Sequence, residues 1–351
     1  MGFLISLGVL SFLIFFHELG HFLVARFFKV KVEVFSIGFG TTILKKVVGD
    51  TEYRLSLIPL GGYVKMKGQD DFNPTSSSND SDSYNSKSPL QRIGILLGGP
   101  VFNFILAFFL FIIISFVGFQ TLSPTIGKLQ TDMPAIESGL QENDLVLSIN
   151  GADIRSWKEL SKEIKATEDN LLFRVQRENE VLDILITPKV TEAKNIFGET
   201  IQQRMVGISP NGEIVNYQLS FLNSIIYGYH ETISSTTLIF QSVEKLIIGV
   251  VALDQLGGVV SIFEFTAKAS ETGFVALLFM MALLSVNLGV LNLLPIPALD
   301  GGHIIFNLYE LIRRKAPSEK VMYSLTVMGW LILIALMGIG LFNDFNRLIV
   351  G

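Results

Sequence analysis

The sequence predicts a mainly α-helical polytopic membrane protein: four transmembrane helices, strand-like runs in the first loop and one inserted α+β domain. Three observations predict it. Hydrophobic residues make up 49% of the chain and charged residues only 17%, with a mean hydropathy of +0.49. Four apolar runs, Phe3–Val24, Ile93–Val117, Gly273–Leu294 and Val321–Leu341, are long enough at about 1.5 Å per residue to cross roughly 30 Å of hydrocarbon. Between the second and third runs lies a long stretch that reads as strands and turns. The expected organisation is residues 1–118 for spans one and two with their connecting loop, 119–190 for the inserted domain, 191–272 for a membrane-associated segment and 273–351 for spans three and four. A net charge of -5 gives no reason to expect nucleic acid as a partner. With no cysteine in the chain, any metal must be held by histidine and carboxylate.

Span one carries the most informative residues, His17-Glu18-Leu19-Gly20-His21. On a helix, positions i and i+4 share a face, so both imidazoles can grip one metal ion while Glu18 serves as base toward an attacking water. Ionisable groups in an apolar span are expensive and are therefore functional candidates. The run lacks a basic leader and a small-residue cleavage site, so it is expected to be retained rather than removed as a signal peptide.

Basic residues set the expected orientation. The first loop holds Arg26, Lys29, Lys31, Lys45, Lys46, Arg54, Lys65, Lys67, Lys87 and Arg92, and the loop between spans three and four holds Arg313, Arg314, Lys315 and Lys320. Both loops are expected in the cytoplasm, and both termini and the inserted domain outside. His17 and His21, roughly 21–27 Å along the helix from Phe3, then lie near the cytoplasmic end of span one. Span three also ends there, in Asn292-Leu293-Leu294-Pro295-Ile296-Pro297-Ala298-Leu299-Asp300-Gly301-Gly302-His303. The prolines break the helix and the glycine pair lets backbone approach closely. Catalytic zinc usually takes three protein ligands, and Asp300 is the expected third. His303 reads as a supporting or structural residue, because a fourth ligand would close the reactive position. His230 reads as an ordinary interfacial histidine.

These residues resemble the site-2 protease family of intramembrane zinc metalloproteases, most closely the bacterial regulator-of-sigma-E protease type. The resemblance rests on H-E-L-G-H in span one and N-L-L-P-I-P-A-L-D-G-G-H after span three. It extends to Gly99-Pro100-Val101-Phe102-Asn103, Tyr63-Val64-Lys65-Met66 and Ser285-Val286-Asn287-Leu288-Gly289, and covers nearly the whole chain. It implies one zinc ion held by His17, His21 and Asp300, Glu18 as catalytic base, and Asn292 holding the substrate or the developing oxyanion. It implies cleavage of membrane-spanning proteins in regulated intramembrane proteolysis, with anti-sigma-factor-like substrates or signal-peptide remnants, in the bacterial inner membrane. Two departures stand out. There is room for one PDZ domain where well-known members carry two. Gly257-Gly258-Val259-Val260-Ser261-Ile262 also lacks the proline of the usual S-G-P-I-S-I.

Residues 125–190 alternate in strand fashion at Asp144–Ile149, Leu171–Gln176 and Val181–Thr187, with a turn at Asn150-Gly151 and a short helix over Pro134–Leu140. The pattern resembles a PDZ domain, a module that can bind extended peptide by strand addition or act only as a size filter. Residues 217–250 are expected to be helical and to lie at the membrane surface. In the first loop, Val32–Met66 is strand-like, and the resemblance suggests a hairpin dipping toward the active site. An unwound substrate exposes backbone groups that an edge strand from residues 50–66 can pair, and the run Tyr53-Arg54-Leu55-Ser56-Leu57-Ile58 is the candidate substrate strand within it. Residues 70–88, rich in Ser, Asn and Asp, read as a flexible linker. The expected partners are thus membrane-spanning substrates and the bilayer. A non-proteolytic scaffold and a metal transporter are the rival readings. A transporter would place polar residues along the full membrane depth, whereas here they gather at one end.

Overall fold

The fold is that of a computed structural model and describes residues 2–69 and 80–350. Residues 70–79 of the expected linker lie outside the described residues. Helix α1 (Gly2–Phe27) leads into strands β1 (Val32–Val48) and β2 (Thr51–Met66), and helix α2 (Pro89–Val117) follows. Next come β3 (Phe119–Leu122), β4 (Ile126–Leu129), α3 (Pro134–Glu137), β5 (Leu145–Ile149), β6 (Ala152–Asp153), α4 (Trp157–Ala166), β7 (Leu171–Arg177) and β8 (Glu180–Ile186). Strands β9 (Lys189–Lys194), β10 (Thr200–Met205), β11 (Ile208–Pro210) and β12 (Ile214–Tyr217) precede helices α5 (Phe221–Ile247), α6 (Val259–Thr272), α7 (Phe274–Asn292), α8 (Asp300–Arg313) and α9 (Glu319–Val350). Helices α1, α2, α7 and α9 are long and apolar enough to cross a membrane, and they coincide with the four runs read from the sequence. Helix α5 is as expected in kind, but it is not among these candidate spans.

The chain divides into two compact units, one built from the residues up to Ile113 and from Ile225 onward, the other Ile114–Ser224. The expected boundary at 190 falls inside the second unit. The reason is pairing: β11 returns to β4 and β12 to β3, so the strands after 190 complete a sheet system begun at 119.

In the first unit the hairpin is more folded than a simple ribbon. Gly38 and Gly40 take φ of +89° and +81°, a conformation glycine adopts without steric cost, and β1 turns there. Its first half pairs with β2 on both sides, Phe35 with both Val64 and Tyr53, and Ile37 with both Gly62 and Leu55. Its second half pairs with the far side of the same run, Leu44 with Leu55 and Lys46 with Tyr53. The result is four antiparallel rows in the order 42–48, 51–58, 32–39, 62–66. This corrects the expectation for Tyr53–Ile58. That run is strand, but it is an interior row, and at Tyr53, Arg54 and Leu55 both edges are paired. Among the described residues, the rows paired on one side only are 42–48 and 62–66.

The second unit has a four-stranded antiparallel sheet in the order β6-β5-β7-β8. Asn150 and Gly151, at φ 50° and 83°, make the two-residue turn between β5 and β6 that their sequence predicts. The inward faces of β5 and β7 supply Val146, Ile149, Leu171, Phe173 and Val175, which pack with Leu160 and Ile164 of α4 and with Val206 in one core. Ser156 caps α4 by accepting from the Glu159 N–H at 3.2 Å.

Candidate metal centre

Helix α1 crosses α2 at a point where neither has a side chain. A Cβ on Gly20 would stand 2.1 Å from the Gly98 carbonyl oxygen, and one on Gly98 would meet the Gly20 oxygen at 2.6 Å. Small residues of this kind let membrane helices approach backbone to backbone. Because Gly20 lies between the two histidines, the same crossing presses both imidazoles against α2. Next in α2 is Gly99, where a Cβ would lie 2.4 Å from His21 Nε2 and 2.8 Å from His17 Nε2. Any side chain there would occupy the space in front of the nitrogens.

Asp300 arrives from the other end of the chain. Helix α7 stops at Asn292, and the chain folds back so tightly that a Cβ on Gly301 would meet the carbonyl oxygens of Leu294 and Leu293 at 2.3 and 2.4 Å. Asp300 opens α8 in its first turn. Arg92 near the start of α2 holds α8 from the other side, donating from Nη2 to Glu310 Oε1 at 2.6 Å. Thus placed, Asp300 Oδ2 lies 3.4 Å from His17 Nε2 and 3.4 Å from His21 Nε2, and the two nitrogens are 3.2 Å apart. His17, His21 and Asp300 form the metal-capable cluster among the described residues.

The triangle fits zinc. Ligand bonds of about 2.0–2.1 Å in a tetrahedron separate the ligand atoms by about 3.3–3.4 Å. Asp300 Oδ2 is buried without a hydrogen-bond partner, a costly state for a carboxylate unless a cation compensates it. His21 Nδ1–H donates to the Ile95 carbonyl at 2.9 Å, which turns the bare Nε2 toward the cluster in the manner of metal-bound histidines. On the other ring, the Asn103 amide lies 3.0 Å from His17 Nδ1.

Glu18 is one position from His17 and so faces differently. It is half-buried, and a Cβ on Gly62 would stand 3.1 Å from its Cγ. The edge row 62–66 therefore runs beside the expected base. Asn292 ends α7 with its Nδ2 donating to the Leu288 carbonyl of its own helix at 3.0 Å. In this conformation that donor is engaged within the helix. His303 is half-buried, and its ring stacks edge-on against Phe306. His230 is exposed on α5. Neither belongs to the cluster.

Residue-level reading did not assign roles to Asn103, Gly99 or Gly62. Asn103 carried a signal, being a polar residue in the middle of an apolar span. Gly99 opens a stretch that the resemblance covers, yet residue type alone gave neither glycine a role, because their importance is the space they leave.

The chain is similar to proteins of known family. The profile of Peptidase family M50 matches residues 5–336. A protein of Campylobacter jejuni whose name predicts a zinc metalloprotease is 49% identical over 348 residues, covering 99% of this chain and 94% of its own. A Helicobacter pylori protein named in the same way is 38% identical over 99% of this chain and all of its own length. The regulator of sigma-W protease RasP of Bacillus subtilis is 29% identical over 99% of this chain and 98% of its own. The chain belongs to Peptidase family M50 and is a zinc metalloendopeptidase with four membrane-length apolar helices among its described residues.

Proposed function

We propose that the protein is an intramembrane endopeptidase that cuts the transmembrane segments of other membrane proteins, with one zinc ion per chain. The observation that carries this reading is the triangle of two imidazole nitrogens on an apolar helix and an orphaned buried carboxylate oxygen. His17, His21 and Asp300 would hold the metal. When bound, zinc supplies Lewis acidity, which lowers the pKa of coordinated water toward about 7. Glu18 takes a proton from the attacking water and delivers one to the leaving amine nitrogen. Asn292 holds the substrate or the developing oxyanion once its side chain turns from its own helix.

A helical substrate hides its peptide bonds and must unwind locally, exposing backbone groups at a cost of several kcal/mol in lipid. The edge row 62–66 can pair those groups by strand addition, and at Gly62 it passes beside Glu18. It replaces 53–58 as the substrate strand.

The remaining features follow the sequence. The basic loops support a reading with the active site toward the cytoplasmic side of a bacterial inner membrane and with both termini and the inserted unit outside. The inserted unit is of PDZ type and screens substrates either by binding an extended segment or by excluding bulky ectodomains. The name of the Bacillus relative supports a role in regulated proteolysis, with anti-sigma-factor-like proteins or signal-peptide remnants as the substrate classes. A non-proteolytic scaffold is not favoured, since it gives no reason for the orphaned Asp300 oxygen.

The test is zinc content of the purified protein followed by cleavage of a single-span substrate in detergent or vesicles. We expect stoichiometric zinc and a cut within the apolar segment. Full zinc occupancy with no cleavage of any membrane-spanning substrate would reject the proposal.

A further inference from the structure

We infer that Asn103 is a positioning residue: its amide oxygen fixes the His17 tautomer that binds metal, and its amide nitrogen serves the same ring when metal is absent. The inference rests on the proposed ligand role of His17. Asn103 is fully buried in α2. Its backbone carbonyl accepts from Ser285 Oγ of α7 at 2.8 Å, and Ser285 is itself fully buried. Three helices thus meet at one residue, with α7 holding the backbone of α2 and α2 reaching the ring on α1.

The two histidines are supported differently. His21 Nδ1 faces the Ile95 carbonyl, which can only accept. That ring is locked with its proton on Nδ1 and a bare Nε2. His17 Nδ1 faces an amide, which can accept or donate. In the arrangement described here Nδ2 points at His17 Nδ1, and Oδ1 is buried without a partner. A donor facing Nδ1 leaves the His17 proton on Nε2, directed into the triangle toward His21 Nε2 and Asp300 Oδ2. A metal on Nε2 requires the opposite tautomer, with the proton on Nδ1 and an acceptor facing it. A half-turn of the Asn103 amide supplies that acceptor by exchanging Oδ1 for Nδ2. An asparagine amide offers both a donor and an acceptor at this spot with no net charge. Aspartate would offer only the acceptor, and leucine neither.

This sets an order of metal retention that a space-filling role would not produce. Full-length protein loaded with zinc would be mixed with excess chelator, and zinc release followed for wild type, Asn103→Asp and Asn103→Leu. Asn103→Asp should release zinc as slowly as wild type or more slowly. Asn103→Leu, close in volume, should lose roughly 10- to 100-fold in metal affinity, the usual effect of removing a partner of a metal-bound histidine. Equal retention in Asn103→Leu and wild type would overturn the inference, as would release from Asn103→Asp as fast as from Asn103→Leu. Should the leucine variant fail to fold, Asn103→Asp against wild type decides alone, since faster release from the aspartate variant overturns the inference and equal or slower release supports it. A wild-type protein that binds no zinc would overturn this inference and the proposed metal centre together. Zinc-loaded wild type with an indifferent Asn103 would overturn only the former.

Discussion

Two buried aspartates, one in each compact unit, differ in a way that separates architecture from chemistry. In the inserted unit, Asp144 is fully buried. Both its oxygens are taken: Arg177 Nε donates to Oδ1 and Nη2 to Oδ2, each at 2.8 Å, and the Gln141 N–H donates to Oδ2 at 2.9 Å. The carboxylate beside Arg177 in turn holds that guanidinium above the usual arginine range. In the apolar unit, Asp300 is also largely shielded, yet its Oδ2 makes no hydrogen bond and lies 3.4 Å from each of two imidazole nitrogens. A buried charge satisfied within its own fold is structural. A shielded charge left without a hydrogen bond among metal-capable groups calls for a cation from outside.

The largest effects should come from breaking the open site. Asp300→Ala should abolish zinc binding and cleavage together, and Asp300→Asn should be nearly as damaging because it keeps the shape but loses the charge. Zinc analysis beside the cleavage assay checks this, and full zinc occupancy in either variant would remove Asp300 from the ligand set. Glu18→Gln should lower cleavage by about 10²–10⁴-fold, the usual worth of a general base, while zinc stays bound. Zinc loss like that of His17→Ala would make Glu18 a ligand instead. Gly62→Val should keep zinc but cost on the order of 10²-fold in cleavage. Its Cβ would press at 3.1 Å on Glu18 Cγ and at 2.8 Å on the Ser36 carbonyl, and displacing a catalytic group by about 1 Å has that order of effect. Undiminished cleavage in Gly62→Val would show that the row 62–66 does not bear on the base.

The closed site should respond in stability alone. Arg177→Met leaves the Asp144 carboxylate buried and unpaired, at a cost of about 3–5 kcal/mol. Asp144→Asn leaves a guanidinium that is already 26% exposed and can rehydrate, so its cost should be nearer 1.5–3 kcal/mol. Amide exchange in β5 and β7 reads this difference in the full chain. If Arg177→Met also released zinc, the two units would be coupled in a way that contradicts the contrast between them.

The two regions were not equally legible. The four spans, the Asn150-Gly151 turn and the strands β5, β7 and β8 follow from patterns a few residues long. The metal-capable cluster was legible for a different reason, since ionisable residues stand out against an apolar background, which let Asp300 be matched to His17 and His21 from far away in sequence. Long-range pairing was not legible. Nothing local to Ile208–Pro210 or Ile214–Tyr217 says that they pair with β4 and β3, so the inserted unit looked shorter than it is. Likewise Tyr53–Ile58 reads as a strand, but whether a strand is edge or interior depends on which rows fold against it. Here the turn at Gly38–Gly40 brings β1 back to cover both sides.

Tyr217 gives the smallest and most discriminating prediction, because it ends the last strand of the inserted unit and lies beyond the boundary expected from sequence. It is 7% exposed, and its hydroxyl donates to Glu159 Oε1 at 2.5 Å. It thereby ties β12 to α4. Tyr217→Phe keeps the ring and its tilted packing on Phe119 and removes this bond. Glu159 is half-buried, and its other oxygen already accepts from the Arg155 N–H, so the freed Oε1 can turn to water. The loss should therefore be about 1 kcal/mol. It should appear as faster amide exchange in α4 as well as in β12, with zinc content and cleavage of a short substrate unchanged. Faster exchange in β12 alone would mean that the strand only fringes the unit, and the domain would then end nearer to 190.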